Sequence, residues 1–167
     1  MTGANLDPLT VYADDADNCI ARWLNLLVII RRRRQTIENI ERTRDAATEY
    51  LRSGGKIGLL HVYEAGSELP DRACRQATAK IFEELRSDVA CAAIVFEGDG
   101  LRFAMMRVAV RALGALFGPS FPRFICTNVD DAAQWMQPIL SASGGSTFSP
   151  TALSEALARL RGGLNAS

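Results

Sequence analysis

The strongest constraint on the fold is an alternation, repeated four times, of a short apolar run, a polar turn and a longer run whose apolar residues have helical spacing. The short runs are residues 26–30, 57–62, 91–96 and 123–127, and the long runs are residues 36–52, 71–86, 101–117 and 130–140. Neighbouring parallel strands need a crossover connection, and a helix is the compact way to make one. The alternation therefore predicts an α/β fold, a mostly parallel sheet of four or five strands with helices packed on it.

The residues that precede the first unit predict an antiparallel hairpin at the start of the domain. Residues 9–13 and 19–23 both resemble strands, and an acidic turn separates them. Residues 19–23 alternate in the way of a half-buried strand, and Leu24 and Asn25 can turn the chain into the next run. Residues 1–8, which include Gly3 and Pro8, are expected to form a flexible leader. The domain is predicted to span residues 9–140.

Local signals mark where the helices begin and end. Thr36 is a good N-cap residue for the first helix, and Gly54 with Gly55 is expected to end it. Pro70 is expected at the beginning of the second helix, where its missing N–H does no harm. Pro138 is expected to end the fourth helix.

The last part of the chain, residues 141–167, is predicted to be a linker followed by an amphipathic helix. Residues 141–146 are small and flexible, and Ser149 and Pro150 form a helix start. The linker composition predicts that residues 147–167 are dispensable for folding of the core.

Charge and cysteine content exclude several classes of function. The 167 residues include 19 basic and 19 acidic side chains, so no net field attracts nucleic acid or an anionic membrane. No apolar run approaches the roughly 20 residues that a membrane helix needs, and no secretion signal is expected at the start. Cys19, Cys74, Cys91 and Cys126 are widely spaced, which is typical of reduced core residues. These features predict a cytoplasmic protein with no membrane insertion and no nucleic-acid partner.

Few side chains suggest chemistry. His61 is the single histidine and lies within a strand, so a structural role, with its ring nitrogens bonded by neighbours, is favoured over catalysis. Two polar segments come directly after buried strands, where ligands bind in open α/β sheets. They form a candidate ligand loop of Glu64, Ser67, Glu97, Gly98, Asp99 and Gly100. A turn with an Asp N-cap is the simpler interpretation of the second segment, and an acid/base pair of Glu97 and Asp99 is the catalytic one.

A basic run and a cysteine near the end of the last strand both have structural explanations. The basic run from Arg31 to Arg34 is expected to form a solvated strand end, with its side chains alternating between the two faces. Cys126 has no neighbour in sequence that would lower its pKa, so it is not expected to be reactive.

The third helix is unusual because it has two apolar stripes. One stripe consists of Leu101, Met105, Val108, Ala112 and Leu116, and the other consists of Phe103, Met106, Val110, Leu113 and Phe117. Because one sheet can cover only one stripe, the other is expected to meet a partner. The second stripe, flanked by Arg107 and Arg111, is predicted to form a homodimer, unless the C-terminal helix covers it.

The second half of the chain resembles a known family in its turns and element order. The segments are IVFEGDG at residues 94–100, LFGPSFP at 116–122 and RFICTNVDDAAQWM at 123–136. Together they resemble the anti-sigma-factor-antagonist-like branch of the STAS-like superfamily. The first half of the chain fits the same element order, with an entry strand and the first helix in the segment NLLVIIRRRRQTIENI. The resemblance covers residues 9–140. It implies a small α/β domain for protein interaction or ligand sensing, commonly without enzyme activity.

The resemblance also implies a phosphorylatable Ser at the start of the helix after the second parallel strand. Pro70 and Asp71 stand at that position here, and Ser67 lies upstream in the loop. The departure counts against a phosphorylation switch at this position.

The resulting hypothesis is a non-enzymatic protein-interaction or regulatory domain with no cofactor and no metal, whose partner is a second copy of itself. The alternative is a carrier or sensor of an apolar small molecule or lipid. In that alternative a pocket between sheet and helices is lined by Trp23, Phe103, Met105 and Met106. A small enzyme using Glu97 and Asp99 is a third hypothesis.

Overall fold

The computed structural model describes residues 9–98, 100, 101, 103–108, 111 and 121–163, and these contain a single mixed sheet. Its strands are β1 (Thr10–Asp14), β2 (Asn18–Trp23), β3 (Leu26–Arg31), β4 (Ile57–Tyr63), β5 (Val89–Phe96) and β6 (Arg123–Cys126). The spatial order is the same as the chain order. Strands β1, β2 and β3 are antiparallel, and β3 to β6 are parallel. The α/β class and the N-terminal hairpin are confirmed. The sheet has six strands, more than expected, because the hairpin strands extend the parallel sheet.

The described residues form five helices, and four of them begin at a side-chain cap. They are α1 (Ile37–Leu51), α2 (Arg72–Glu84), α3 (helical at the described residues 101, 103–108 and 111), α4 (Val129–Ala142) and α5 (Pro150–Gly162). The side chain of Thr36 accepts the N–H of Asn39, as the sequence predicted for the first cap. Asp71, Asn128 and Ser149 cap α2, α4 and α5 in the same way.

Three local predictions were wrong in detail. Strand β2 is almost wholly buried, because it lies between β1 and β3 with helices on both faces. Helix α4 continues past Pro138 to Ala142. Pro138 and Gln134 both lie on the exposed side of α4, where water can bond the carbonyl that the proline leaves free. Pro70 precedes the Asp71 cap and is not part of α2.

The sheet carries helices on both faces. Helices α1 and α2 cover one face, where Ile29, Leu59 and Ala92 point from successive strands. Helices α4 and α5 cover the other face, over Val28, Leu60 and other strand residues. The parallel strands follow one another in space in chain order. When all their crossover connections have the same handedness, every crossover helix lies on the same face of the sheet. The second face is therefore left to the two helices that come after β6.

The C-terminal helix is packed as part of this second layer. Leu153, Ala156, Leu157 and Leu160 are buried against α4 and the sheet. The linker is shorter than predicted, because Ser141 and Ala142 are the last residues of α4. The prediction that the tail is dispensable does not fit this packing. Its helix covers apolar strands that would otherwise meet water.

We expect Leu153→Ala to destabilise the protein by about 2–4 kcal/mol, because the side chain is fully buried and its removal leaves a cavity between α5 and the sheet. Arg159→Ala, on the exposed side of the same helix, should change the free energy of unfolding by less than about 0.5 kcal/mol. Urea unfolding monitored by circular dichroism measures both values. Equal, small effects would show that α5 is not part of the cooperative core.

Candidate functional site

The carboxyl edge of the parallel strands brings the two halves of the candidate ligand loop together. In the register of β4 and β5, Tyr63 lies opposite Phe96, so Glu64 and Glu97 leave neighbouring strands at the same level. The backbone N–H of Glu97 donates to the carbonyl of Tyr63 at 2.9 Å, and that of Glu64 donates to the carbonyl of Arg31 at 2.9 Å. The ladder thus extends one residue beyond the strands and holds both carboxylates at the edge.

An arginine from the far end of the chain lies between these carboxylates. Nε of Arg161 in α5 is 3.0 Å from Oε1 of Glu64, and its Nη2 is 2.6 Å from Oε2 of Glu97. One guanidinium therefore pairs with both acids and ties α5 to the loops after β4 and β5. Sequence reasoning missed Arg161 because it is 64 and 97 residues away from its partners. Its only signal was a basic residue in the last turn of an amphipathic helix.

The rest of the candidate ligand loop has structural roles where it is described. Ser67 is fully buried, and its hydroxyl donates to the carbonyl of Glu64 at 2.7 Å. A Cβ on Gly98 would lie 2.4 Å from Cε2 of Phe103, so the loop passes directly over that ring. Gly100 has a φ of 119°, which favours glycine. Asp99 lies outside the described residues. In the described part of the loop, both acids, Glu64 and Glu97, are already paired with Arg161.

The two faces of α3 are arranged opposite to the prediction in the part that is described. Phe103 and Met106 are buried against Phe96 of the sheet. The other stripe is in solvent, with Leu101 exposed by 77%, Met105 by 63% and Val108 by 65%. The predicted stripe was wrong for Phe103 and Met106. Both stripes are apolar, and only the position of the sheet distinguishes them.

The predicted interaction surface also included residues other than Phe103 and Met106. Arg107 is half-buried and Arg111 is exposed. Val110, Leu113 and Phe117 lie outside the described residues. Helix α5 packs on the opposite face of the sheet, so it does not cover the described part of α3.

The structure does not assemble the pocket that was expected for an apolar ligand. Trp23 belongs to the face covered by α4 and α5, where it meets Phe148 edge-on at 5.4 Å. Phe103 and Met106 pack on the other face, and Met105 points into solvent. These four residues therefore line no common cavity.

The first arginine of the basic run is buried, which corrects the expectation of a solvated strand end. Arg31 is 2% exposed on the face that α1 and α2 cover, and its Nη1 donates to Oδ1 of Asn18 at 2.5 Å. Burial lowers the pKa of its guanidinium, which nonetheless stays charged in proteins. Arg32 points to the opposite face and pairs with Asp14 at 2.6 Å. Arg33 and Arg34 are exposed, as expected.

Burial shifts the pKa values of the single histidine and of three cysteines. Burial, together with the charge of Arg31, lowers the pKa of His61 to about 3, so the ring is neutral at physiological pH. Among the described residues its Nε2 has no hydrogen-bond partner, so the expectation that neighbours bond both ring nitrogens is wrong there, and the ring meets Phe82 edge-on. Burial raises the pKa of Cys19 and of Cys126 to about 11 and that of Cys91 to about 12. These thiols stay protonated and are poor nucleophiles.

The described residues offer neither a metal centre nor a membrane helix. No group of three or more His, Cys, Asp or Glu side chains is arranged to hold a metal ion within the described part of the chain. None of the described helices combines the length and the apolar character needed to cross a membrane.

The buried histidine makes stability depend on pH in a predictable direction. The unfolded chain binds a proton at His61 below about pH 6.5, whereas the folded protein does not until about pH 3. The stability that this difference provides is complete above pH 6.5 and is lost as the pH falls. We expect wild type to lose about 2 kcal/mol more than His61→Phe between pH 7 and pH 5. Urea titrations at both pH values measure the difference, and parallel losses would show that folded His61 accepts a proton.

Removal of the bridging arginine should weaken the carboxyl edge. We expect Arg161→Gln to cost about 1 kcal/mol, because the pairs are partly exposed and two carboxylates are left without their cation. Glu97→Gln added to that variant should restore part of the loss. Arg159→Gln, an exposed change in the same helix, is the matched control in the same urea titrations. No difference between Arg161→Gln and Arg159→Gln would mean that the bridge contributes nothing.

Comparison of the chain with protein-family models, with curated proteins and with solved structures gives no match in any of the three.

Proposed function

We propose that this chain is a non-enzymatic, STAS-like regulatory domain that acts by associating with a second copy of itself through the exposed face of α3. That face, formed by Leu101, Met105 and Val108, is called the α3 outer face from here on. The observation that carries the proposal is the strong exposure of these three large apolar side chains on one side of one helix.

The α3 outer face is suited to binding because it is both apolar and firmly held. The spacing of its residues, i, i+4 and i+7, forms a stripe along the helix. On the opposite side, Phe103 and Met106 fix the helix to the sheet. Exposed apolar stripes of this kind are typical of protein interaction sites. Burying one such side chain contributes roughly 1.5–3 kcal/mol.

A second copy is the favoured partner because nothing in the charge of the chain opposes self-association. The 19 basic and 19 acidic residues balance, so two copies do not repel each other at long range. A two-fold dimer needs only one self-complementary patch, which an apolar stripe provides. The cations Arg107 and Arg111 lie along the same helix and can reach acidic groups on the partner.

The state of the reactive side chains supports a non-enzymatic role. The single histidine is buried and neutral, and the thiols have raised pKa values. Glu97, the carboxylate considered for acid–base chemistry, is bound by Arg161. A general base needs access to its substrate and a pKa near the working pH.

The order of elements supports the STAS-like part of the proposal. The parallel units come after an N-terminal hairpin, and the chain from β5 onward runs strand, helix, short strand and helix. Ala132, Ala133 and Trp135 lie on α4, which is the closing helix of the resemblance. Asp71 is committed to capping α2 and Ser67 is buried, which supports the view that this chain has no phosphorylation switch at that position.

The dimer can be tested by sedimentation equilibrium at concentrations from micromolar to about 100 μM. We expect wild type to be a dimer and Met105→Glu to weaken association by at least about tenfold, because each interface would then bury two carboxylates. The substitution is at an exposed position, so the free energy of unfolding should change little.

Val11→Glu is the matched control, because Val11 is 49% exposed but lies on the edge strand β1. It should leave the dimer intact. A monomeric wild type would refute self-association. Dissociation by Val11→Glu with none by Met105→Glu would show that copies pair through the sheet edge instead.

A further inference from the structure

The sulfur-containing side chains of the described chain differ sharply in their access to solvent. Met105 is 63% exposed, whereas Met106 is 3% exposed and Met136 is 0% exposed. All four cysteines are buried. The remaining methionine, Met1, lies outside the described residues. A dissolved reagent that attacks sulfur can therefore reach Met105 far more easily than the other described sulfur atoms.

The cysteines are poor competitors for an oxidant. The oxidation of cysteine follows its thiolate character and its exposure. Burial raises the pKa of Cys74, as it does the pKa values of the other three cysteines. All four thiols are therefore protonated at physiological pH as well as buried. The thioether of Met105 has no proton to lose, so its exposure alone governs its reaction.

The exposed methionine lies in the middle of the α3 outer face. Leu101 is about one turn before Met105 on the helix, and Val108 is about one turn after it. The next residue, Met106, packs with Phe96 and holds the opposite side of the helix on the sheet. Two methionines that are neighbours in sequence thus have opposite environments, and the buried one is an internal control for the exposed one.

Oxidation would change the centre of this face from apolar to polar. A thioether is a flexible apolar group that packs well against other apolar side chains. Its sulfoxide is polar and disrupts methionine-containing interfaces. In a two-fold dimer through the α3 outer face, both copies would bury a sulfoxide among the side chains of Leu101 and Val108. Burying a polar group without a hydrogen-bond partner is costly, so the oxidised copies should separate.

We propose that Met105 is a site of reversible oxidation by peroxides, and that its sulfoxide dissociates the dimer formed through the α3 outer face. This inference rests on the self-association proposed above. The Met105 sulfur gives an electron pair to one oxygen of hydrogen peroxide, so that an S–O bond forms and the O–O bond breaks. The second oxygen leaves as water, and the sulfur has lost the two electrons that the peroxide gains.

The change can be reversed by a thiol-dependent methionine sulfoxide reductase. In that step the sulfoxide oxygen leaves as water, and two thiols are oxidised to a disulfide. The peroxide reacts with the free copy, because the dimer covers Met105. The rate of oxidation should therefore fall as the protein concentration rises through the range in which dimers form.

The full chain can be treated with excess hydrogen peroxide and followed by tandem mass spectrometry and sedimentation equilibrium. Fragment spectra distinguish Met105 from Met106, which share a tryptic peptide. We expect Met105 to gain one oxygen atom at least about tenfold faster than Met106 and Met136, because oxidation follows exposure. Oxidation of Met105 should weaken association by at least about tenfold. The two stereospecific reductases with dithiothreitol should restore the dimer.

Two variants assign the effect to this side chain. Met105→Leu removes the sulfur and nearly keeps the volume, so it should associate like wild type and stay dimeric in peroxide. It keeps the other three methionines and all four cysteines, which controls for oxidation elsewhere. Met105→Gln places an uncharged polar group at the same position without any oxidant. It should weaken association by at least about tenfold and leave the thermal midpoint of unfolding nearly unchanged, because the position is exposed in the free chain.

The outcomes separate this inference from the proposed self-association. Equal oxidation rates at Met105 and Met106 would refute the oxidation site. A dimer that survives complete oxidation of Met105, or a Met105→Leu dimer that dissociates in peroxide, would refute the effect of the sulfoxide and leave the dimer itself intact. A wild type that is monomeric before treatment would refute self-association, and with it the effect of oxidation on association.

Discussion

The consecutive order of the parallel strands determines how the whole domain is covered. Because β3 to β6 succeed one another in space as in sequence, crossovers of one hand place α1, α2 and the start of α3 on a single face. The strands are nonetheless apolar on both faces. The opposite face must be covered by elements located after β6 in the chain, and α4 and α5 do this with side chains such as Met136 and Leu153. The C-terminal helix therefore shields apolar strand residues from water.

The position of α5 in turn determines the character of the carboxyl edge. Arg161 binds Glu64 and Glu97, and Arg32 reaches the carbonyl of Leu160 at 3.5 Å. In many open α/β sheets this edge is the mouth of the ligand site. Here its charges are used to hold the last helix. The α3 outer face, by contrast, remains exposed.

The local sequence pattern was sufficient to predict most of the helices and strands. Strands and helices could be told apart because their apolar residues repeat with different periods. Thr36 could be identified as a cap because its hydroxyl accepts a hydrogen bond from a backbone N–H only three residues further along the chain. The errors arose where an outcome depends on distant neighbours. Pro138 was expected to stop a helix, but α4 continues because the carbonyl that loses its partner is on the exposed side. Arg31 was expected in solvent, but the helices above β3 enclose it.

The candidate site was less predictable than the fold for the same reason. The residues at the strand ends were identified, but Arg161 was not, because its role comes from contacts between segments far apart in the chain. The sequence by itself determined the α/β class, the N-terminal hairpin and most helix starts, since these depend on periodicity and on hydrogen bonds within a few residues. Only the tertiary structure decided which stripe of α3 meets the sheet, because Phe103 packs over Gly98 and beside Phe96. Two stripes of similar hydrophobicity have similar free energies of transfer from water. Shape complementarity with the sheet therefore decides which stripe packs against it.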